Sequence, residues 1–299
     1  MNPHNDIAEL EGPFEQIASA PATGSSGSSD SETITLTIDK PVVDYGEITL
    51  AKFTNIDPIQ DILNQAQSQI DQLKNIIASP ITPSLDNQAA QVVGQLQTLS
   101  SSVASMKVDL SEARSQTTQA PRELKIVSSK GYYSFEIVAG TPTDVHRKPG
   151  NSTDSLGTLS ATNGTTDGEG KATIIFTPNG NYGKMTFKVK HGNVESDLEP
   201  FVSQGEFKED AQERYQEEID KAEAVFELSV TVYTALVGVI GAALAWAVKA
   251  SPIAVCLVGI FTVVGVYYVW LKFKNDLDKK KKKIKDKNKP KIDELPSKT

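Results

Sequence analysis

The sequence predicts an α+β protein in several parts: a β-sandwich with an inserted antiparallel coiled-coil hairpin, then a helical stalk and two transmembrane helices. Three observations carry this prediction. Apolar and polar residues alternate over 33–54 and 122–203, as they do in strands. Apolar residues recur every three or four positions over 57–118, as they do in packed helices. Two long uncharged stretches follow near the C-terminus.

Composition and charge exclude several classes of function. The 299 residues carry a net charge of −8, and 12 lysines against 5 acidic residues are concentrated from Lys272 onward. The rest of the chain is acidic, so we expect no nucleic-acid partner. One cysteine excludes an intrachain disulfide and a cysteine zinc site. The three histidines, His4, His146 and His191, are widely spaced, so we expect no catalytic residues, no metal site and no cofactor.

The first segment, residues 1–32, is rich in serine and glycine and has no apolar periodicity. It predicts a disordered leader. Its start has neither a basic cluster nor an apolar core, so we expect no signal peptide.

The β-sandwich is predicted from 33–54 together with 122–203. The first range has two apolar-alternating runs separated by a turn near Gly46. The second has strand-like runs such as KATIIFT, separated by glycine- and asparagine-rich turns. About seven short strands without intervening crossover helices favour a sandwich.

An inserted coiled-coil hairpin is predicted over residues 55–121. Pro80 and Pro83 end the first helix, and the apolar spacing resumes at Leu85. A short connection favours antiparallel neighbours, so the two helices are expected to pack against each other along their length. The polar flanks specify pairing poorly, which leaves self-association or a protein partner open. The predicted interaction seam consists of Leu63, Ile70, Leu73, Leu96, Leu99, Val103 and Met106.

A charged helical stalk (204–227) precedes a predicted transmembrane hairpin (228–271). Leu228–Val248 and Ile253–Leu271 are uncharged stretches of 21 and 19 residues, each long enough to cross a bilayer. As one helix the pair would be about 66 Å long, which is too much for a single crossing. Gly238 and Ala242 form a small-xxx-small pair that predicts close contact between membrane helices.

The remaining segment, 272–299, is expected to be a disordered lysine-rich tail on the bilayer surface. Because positive charge near a span marks the cytoplasmic side, both termini and the soluble part are predicted to be cytoplasmic. The alternative places the soluble part outside the cell or on a virion surface. The expected lipid headgroup contacts are Lys279, Lys280, Lys281, Lys282 and Lys283.

The runs GYYSFEIVAG, GTLSATNGTTDGEGKATIIFT and GNVES resemble bacterial immunoglobulin-like domains of the invasin/intimin, or Big-1-like, group. The earlier run TIDKPVVDYGEITLAKF resembles the first two strands of such a domain. The resemblance implies an Ig-like sandwich with the hairpin inserted after its second strand. It implies extracellular adhesion in the family, which the expected lack of an export signal opposes here.

Two further sites have alternative interpretations. Asp167 and Glu169 in the TDGEGK loop are interpreted as a hairpin turn, with a Ca²⁺ site as the alternative. Cys256 in the second span is interpreted as a small apolar residue, with palmitoylation as the alternative.

The functional prediction is a non-enzymatic, membrane-anchored structural or interaction protein. Its expected partners are the lipid bilayer and either a protein or a second copy that binds the hairpin. One alternative is an outward-facing adhesin or virion membrane protein. Another is an accessory subunit of a membrane enzyme or transport complex.

Overall fold

The computed structural model describes residues 31–79, 85–114, 120–250 and 263–299. It is a mixed α+β structure with two β-sheets and four described helices. The strands are β1 (Ile34–Ile38), β2 (Val42–Asp44), β3 (Arg122–Ser128), β4 (Ser134–Ala139), β5 (Thr143–His146), β6 (Gly157–Leu159), β7 (Asn163–Thr165), β8 (Lys171–Pro178), β9 (Tyr182–His191), β10 (Val194–Glu195) and β11 (Glu199–Gln204). The helices are α1 (Ile56–Ala78), α2 (Leu85–Ala104), α3 (Lys208–Ala250) and α4 (Val263–Ile292).

The strands form two sheets, which together make up the β domain. One sheet has the order β1-β3-β8-β6 and is antiparallel throughout. The other has the order β2-β11-β9-β4-β7, with β5 and β10 also pairing with β9. The pairing of β2 with β11 is parallel, whereas the other pairs of this sheet are antiparallel. The segment that holds β1 and β2 therefore contributes one strand to each sheet.

One apolar core joins the two sheets. Alternate residues of each strand face it, because successive side chains of a strand point to opposite faces. Phe176 of the first sheet packs edge-on against Phe187 and Phe201 of the second, with ring centroids 5.1 and 4.8 Å apart. All three phenylalanines are at most 1% exposed.

The second predicted strand, Ile48–Phe53, is wrong. Its backbone leaves the sheets and makes only isolated bridges, from Thr49 to Arg114 and from Phe53 to Leu110. Its apolar side chains pack beneath the helices instead, with Ile48 against Ala211 and Phe53 in the core of the helices. The apolar side chains of this segment are buried against helices. A pattern of period two shows that alternate residues are buried, but it does not show whether the neighbours are helices or strands.

The lysine-rich tail is helical where disorder was expected. From Lys272 the chain continues α4 to Ile292. Phe273, Leu277 and Ile284 are buried in the helical core, and Ile292 is buried in a smaller cluster with Ile48 and Ala211. These residues fall on one side of the helix, because their spacings of 4, 7 and 8 are close to whole turns. Salt bridges and this apolar stripe together stabilise the helical conformation of a segment whose charge alone would predict disorder.

Candidate functional site

The four helices form one bundle, and the predicted interaction seam lies inside it. The buried residues of α1 and α2 belong to a single apolar cluster with those of α3 and α4. This cluster is separate from the core of the β domain. The seam predicted for α1 and α2 is therefore not confined to the hairpin, because it is shared with α3 and α4. The seven predicted seam residues are each at most 9% exposed: Leu63, Ile70, Leu73, Leu96, Leu99, Val103 and Met106.

The base of the hairpin lies beside Glu223 of α3. The Asn55 carboxamide bonds to the backbone of Lys107 and Asp109, which closes the hairpin at its root. Lys280 of α4 donates to the Val108 carbonyl, and the next residue, Lys281, makes a 2.7 Å ion pair with Glu223. The start of α1 therefore lies at about the same height along the bundle as Glu223, shortly before the uncharged part of α3 begins.

From this base, α1 runs alongside the uncharged part of α3. The two helices pack together, and the fully buried α3 residues of the shared cluster all lie between Ala222 and Ala243. Their spacing of three and four matches that of α1, as coiled-coil packing requires. The α1 residues are Ile56, Ile59, Leu63, Ala66, Ile70 and Leu73, and those of α3 are Ala222, Val225, Val232, Leu236, Val239, Ile240 and Ala243.

The opposite face of α3 carries small or hydroxyl-bearing residues. Thr231, Thr234, Gly238, Gly241 and Ala242 are exposed. A Cβ added at Gly238 would have no atom within 4 Å. The close helix contact predicted for Gly238 and Ala242 is therefore not made by any of the described residues.

An aromatic cluster joins α3 and α4 near the start of the uncharged stretch of α3 and the end of that of α4. The Tyr233 ring stacks on Trp270 at 5.1 Å, and Phe226 lies 6.4 Å from the same indole. Lys274 places its ammonium 5.7 Å from the Trp270 ring, within reach of a cation–π interaction. Aromatic rings beside a lysine are typical of the level of the lipid headgroups. This cluster marks the border between the charged and uncharged parts of both helices.

One described helix is long and apolar enough to cross a bilayer, namely α3 over Lys208–Ala243. Most of the second predicted span lies outside the described residues, as does Cys256. Its last part, 263–271, is the beginning of α4 and runs antiparallel to α3, as the aromatic contacts show.

The five consecutive lysines divide into two groups. Lys280 and Lys281 are partly buried, and their ammonium groups bond to the hairpin base and to α3. Lys279, Lys282 and Lys283 are exposed. A lipid headgroup would meet the second group, whereas the first group holds the bundle together.

Two buried polar contacts tie the connecting segment at 48–52 to the helices. The Glu206 carboxylate accepts a 2.9 Å hydrogen bond from the Ile48 N–H and two from Arg214, each of 2.7 Å. The Asn288 carboxamide accepts from the Ala51 N–H and donates to the Ala51 carbonyl, both at 2.8 Å. Asn288 comes from the segment that was expected to be disordered, and nothing in its sequence context predicted this role.

The last residues of the chain bind the first turn of α3. The Lys208 N–H donates to the Pro296 carbonyl at 2.9 Å, and the Ser297 hydroxyl and the Lys298 N–H donate to the Glu209 carboxylate. These donors lower the pKa of Glu209, the Ser297 hydroxyl having the largest effect. Lys208 also lowers the pKa of Asp293 through a 2.9 Å ion pair. We call residues 296–298 the C-terminal clasp.

The TDGEGK loop has the geometry of a hairpin turn. The Asp167 carboxylate accepts the N–H groups of Glu169 and Lys171, both at 2.9 Å. Glu169 forms an ion pair with Lys171. Gly170 has φ +79°, and a Cβ there would lie 2.4 Å from the Ser128 carbonyl oxygen, so this position requires glycine. Within the described ranges, no group of three or more His, Cys, Asp or Glu side chains is placed to hold a metal ion.

A cavity of about 760 Å³ opens between the end of α2 and α4. Its polar lining includes Lys107, Lys272, Lys279 and Asp276. Two of the histidines lie elsewhere: His146 contacts the Ser297 carbonyl at 3.0 Å, and His191 contacts Ser134. The described side chains around this cavity therefore do not combine a nucleophile with a histidine base.

Comparison with protein-family models, with curated proteins and with solved structures gives no match to this chain. The resemblance of its β region to Big-1-like domains stays a prediction.

Proposed function

We propose that this chain is a non-enzymatic, membrane-anchored interaction protein whose α3 helix holds the β domain at a bilayer. The observation that carries the proposal is the continuity of α3. It begins at Lys208 beside the β domain and runs without interruption into the uncharged stretch from Leu228. A rigid connection of this kind fixes the height of the β domain above the membrane.

We also propose that the β domain is an Ig-like sandwich. If β1, β3, β4, β6, β8, β9 and β11 take the letters A to G in chain order, the sheets read A-B-E-D and G-F-C. That is the strand order of constant-type immunoglobulin domains. The short strand β7 pairs with β4 although it follows β6, which departs from that plan. The strand order supports a domain used for protein recognition, because Ig-like domains commonly present loops at the ends of their sheets.

A bilayer-anchoring role is tested by lysine substitutions on the exposed face of α3. Thr234→Lys and Ala242→Lys should leave a water-exposed bundle intact, because both positions face outward. In a membrane each charge near the centre of the span costs about 2.5–3.5 kcal/mol. The double variant should therefore be released from membranes by high salt at pH 7, where both lysines are charged, whereas the unchanged chain stays in the pellet. Asn275→Lys, on the exposed side of α4, is the matched control. An unchanged chain that appears in the supernatant would reject anchoring.

The proposed topology places the β domain and the C-terminus on the cytoplasmic side, with two spans between them. Ser160→Cys and Lys285→Cys in a Cys256→Ser chain should react with an impermeant maleimide from the same side. Reaction from opposite sides would reject the two-span arrangement. Reaction of both from outside intact cells would favour the surface or virion protein instead. Copurified membrane subunits would favour the accessory-subunit alternative.

A further inference from the structure

The α1–α2 hairpin occupies the face of α3 that a bilayer would otherwise contact. We define the covered face as Val225, Val232, Leu236, Val239 and Ala243, each at most 2% exposed. These residues share one apolar cluster with α1 and α2. Four of them lie in the uncharged stretch that begins at Leu228. The large apolar side chains of the candidate span are thus turned into the bundle, where α1 packs against α3.

The outer surface of the hairpin is incompatible with hydrocarbon. Asp57, Asp61 and Asp71 of α1 are exposed, and Asp71 has its ion-pair partner Lys74 on the same surface. Several exposed amide side chains lie between them. Buried charges are costly in lipid unless they face a protein interior or a water-filled cavity. The hairpin therefore cannot accompany α3 into a bilayer in the arrangement described.

The outward face of α3 agrees with a bundle in water. From Leu228 onward, no large apolar side chain among the described residues of α3 is prominently exposed, and the exposed positions there carry threonine, glycine or alanine. In lipid, burying leucine and valine side chains against another helix gains no hydrophobic free energy, because lipid tails are as apolar as those side chains. The described packing is the one that minimises contact between water and an uncharged helix.

We propose that the hairpin is an intramolecular cover for this apolar face and that a lipid bilayer displaces it. The inference rests on the proposed membrane anchoring and adds the partner that competes with the hairpin. On insertion, lipid replaces α1 and α2 around α3. The released hairpin is amphipathic, so it lies on the bilayer surface with Ile59, Leu63, Ile70 and Leu73 toward the acyl chains. The hydrogen bonds of Asn55 at its root keep the two helices together as they move.

The test measures how far the hairpin lies from α3 with and without a bilayer. The full chain carries Cys256→Ser and two nitroxide labels on exposed positions, Ser68→Cys on α1 and Thr234→Cys on α3. A matched control chain carries Asp220→Cys on α3 and Lys282→Cys on α4, which the Lys281–Glu223 ion pair keeps close. Both chains are made by detergent-free cell-free synthesis. They are measured by pulsed electron paramagnetic resonance before and after addition of phosphatidylcholine–phosphatidylglycerol vesicles, and flotation reports binding.

The expected result is a chain that floats with the vesicles, with the hairpin-to-α3 distance longer by more than one helix diameter, about 10 Å. The α3-to-α4 distance should stay constant. Flotation with an unchanged hairpin distance would overturn the cover and leave the anchoring proposal standing. Absence of flotation would reject the anchoring itself. A broad hairpin distance before vesicles are added, with a sharp control distance, would also overturn the cover, because the hairpin would then not be packed in water.

Discussion

Replacement of Asn288 by alanine tests whether the lysine-rich segment is part of the folded core. Asn288 is 1% exposed and its carboxamide satisfies both backbone groups of Ala51, which is itself fully buried. Asn288→Ala leaves one buried N–H and one buried carbonyl without this partner. An orphaned buried group costs about 1–3 kcal/mol, so the connecting segment should lose about 2–6 kcal/mol of stability.

Hydrogen exchange at the Ala51 amide measures this loss directly. A loss of 2 kcal/mol lowers the protection of an amide about 30-fold, because each 1.4 kcal/mol is a factor of ten. Asn275→Ala on the same helix is the control, since Asn275 is exposed and should change stability by less than about 0.5 kcal/mol. Equal protection in the two variants would refute the assignment of Asn288 to the core. It would restore the interpretation of residues 272–299 as a loose tail.

Arg214→Met leaves a carboxylate partner that is only 4% exposed without its main cation, so the midpoint of urea unfolding should fall by the equivalent of about 2–4 kcal/mol. The lowered pKa of Glu209 stabilises the fold above its unfolded value of about 4.3, and this contribution disappears as the pH falls through the folded value. The protection factor of the Lys298 amide, corrected for the intrinsic exchange rate at each pH, should therefore fall below about pH 4, and a protection factor that does not change with pH would contradict the C-terminal clasp. Leu99→Asp should unfold the helical bundle and leave the β domain folded, because it buries an unpaired charge. Circular dichroism distinguishes the loss of helical signal from the β signal. The control, Gln97→Asp on the exposed side of α2, should leave both signals unchanged.

The sequence predicted the mixed α+β class and the type of most of the longer described elements. Period-two alternation located the strands of 122–203, and the three-and-four spacing located α1 and α2. Pattern arguments work for these elements because each has one buried and one exposed face. The uncharged stretch after Leu228 likewise identified the one described helix that is apolar enough to cross a membrane.

Two segments were misjudged, one because its charge composition outweighed its apolar pattern and the other because its alternation resembled that of a strand. The five lysines of 279–283 led to a prediction of disorder, whereas the apolar positions from Phe273 to Ile292 pack α4 against its neighbours. The segment at Ile48 has strand-like alternation, but its backbone makes isolated bridges to Leu110 and Arg114 and no sheet, and its other hydrogen bonds go to the side chains of Glu206 and Arg214. Both side chains are more than 150 residues away along the chain, and such partners cannot be inferred from local sequence.

The sequence by itself therefore determined which faces of the helices are apolar, and the tertiary structure decided which faces meet. The seam of the hairpin and the uncharged face of α3 were each evident from spacing, yet their pairing was not. Burial of apolar surface is non-directional, so any apolar stripe of suitable length satisfies another. Polar contacts are directional where this burial is not: Lys280 of α4 bonds to the Val108 carbonyl at the base of the hairpin, and Lys281 of the same helix pairs with Glu223 of α3.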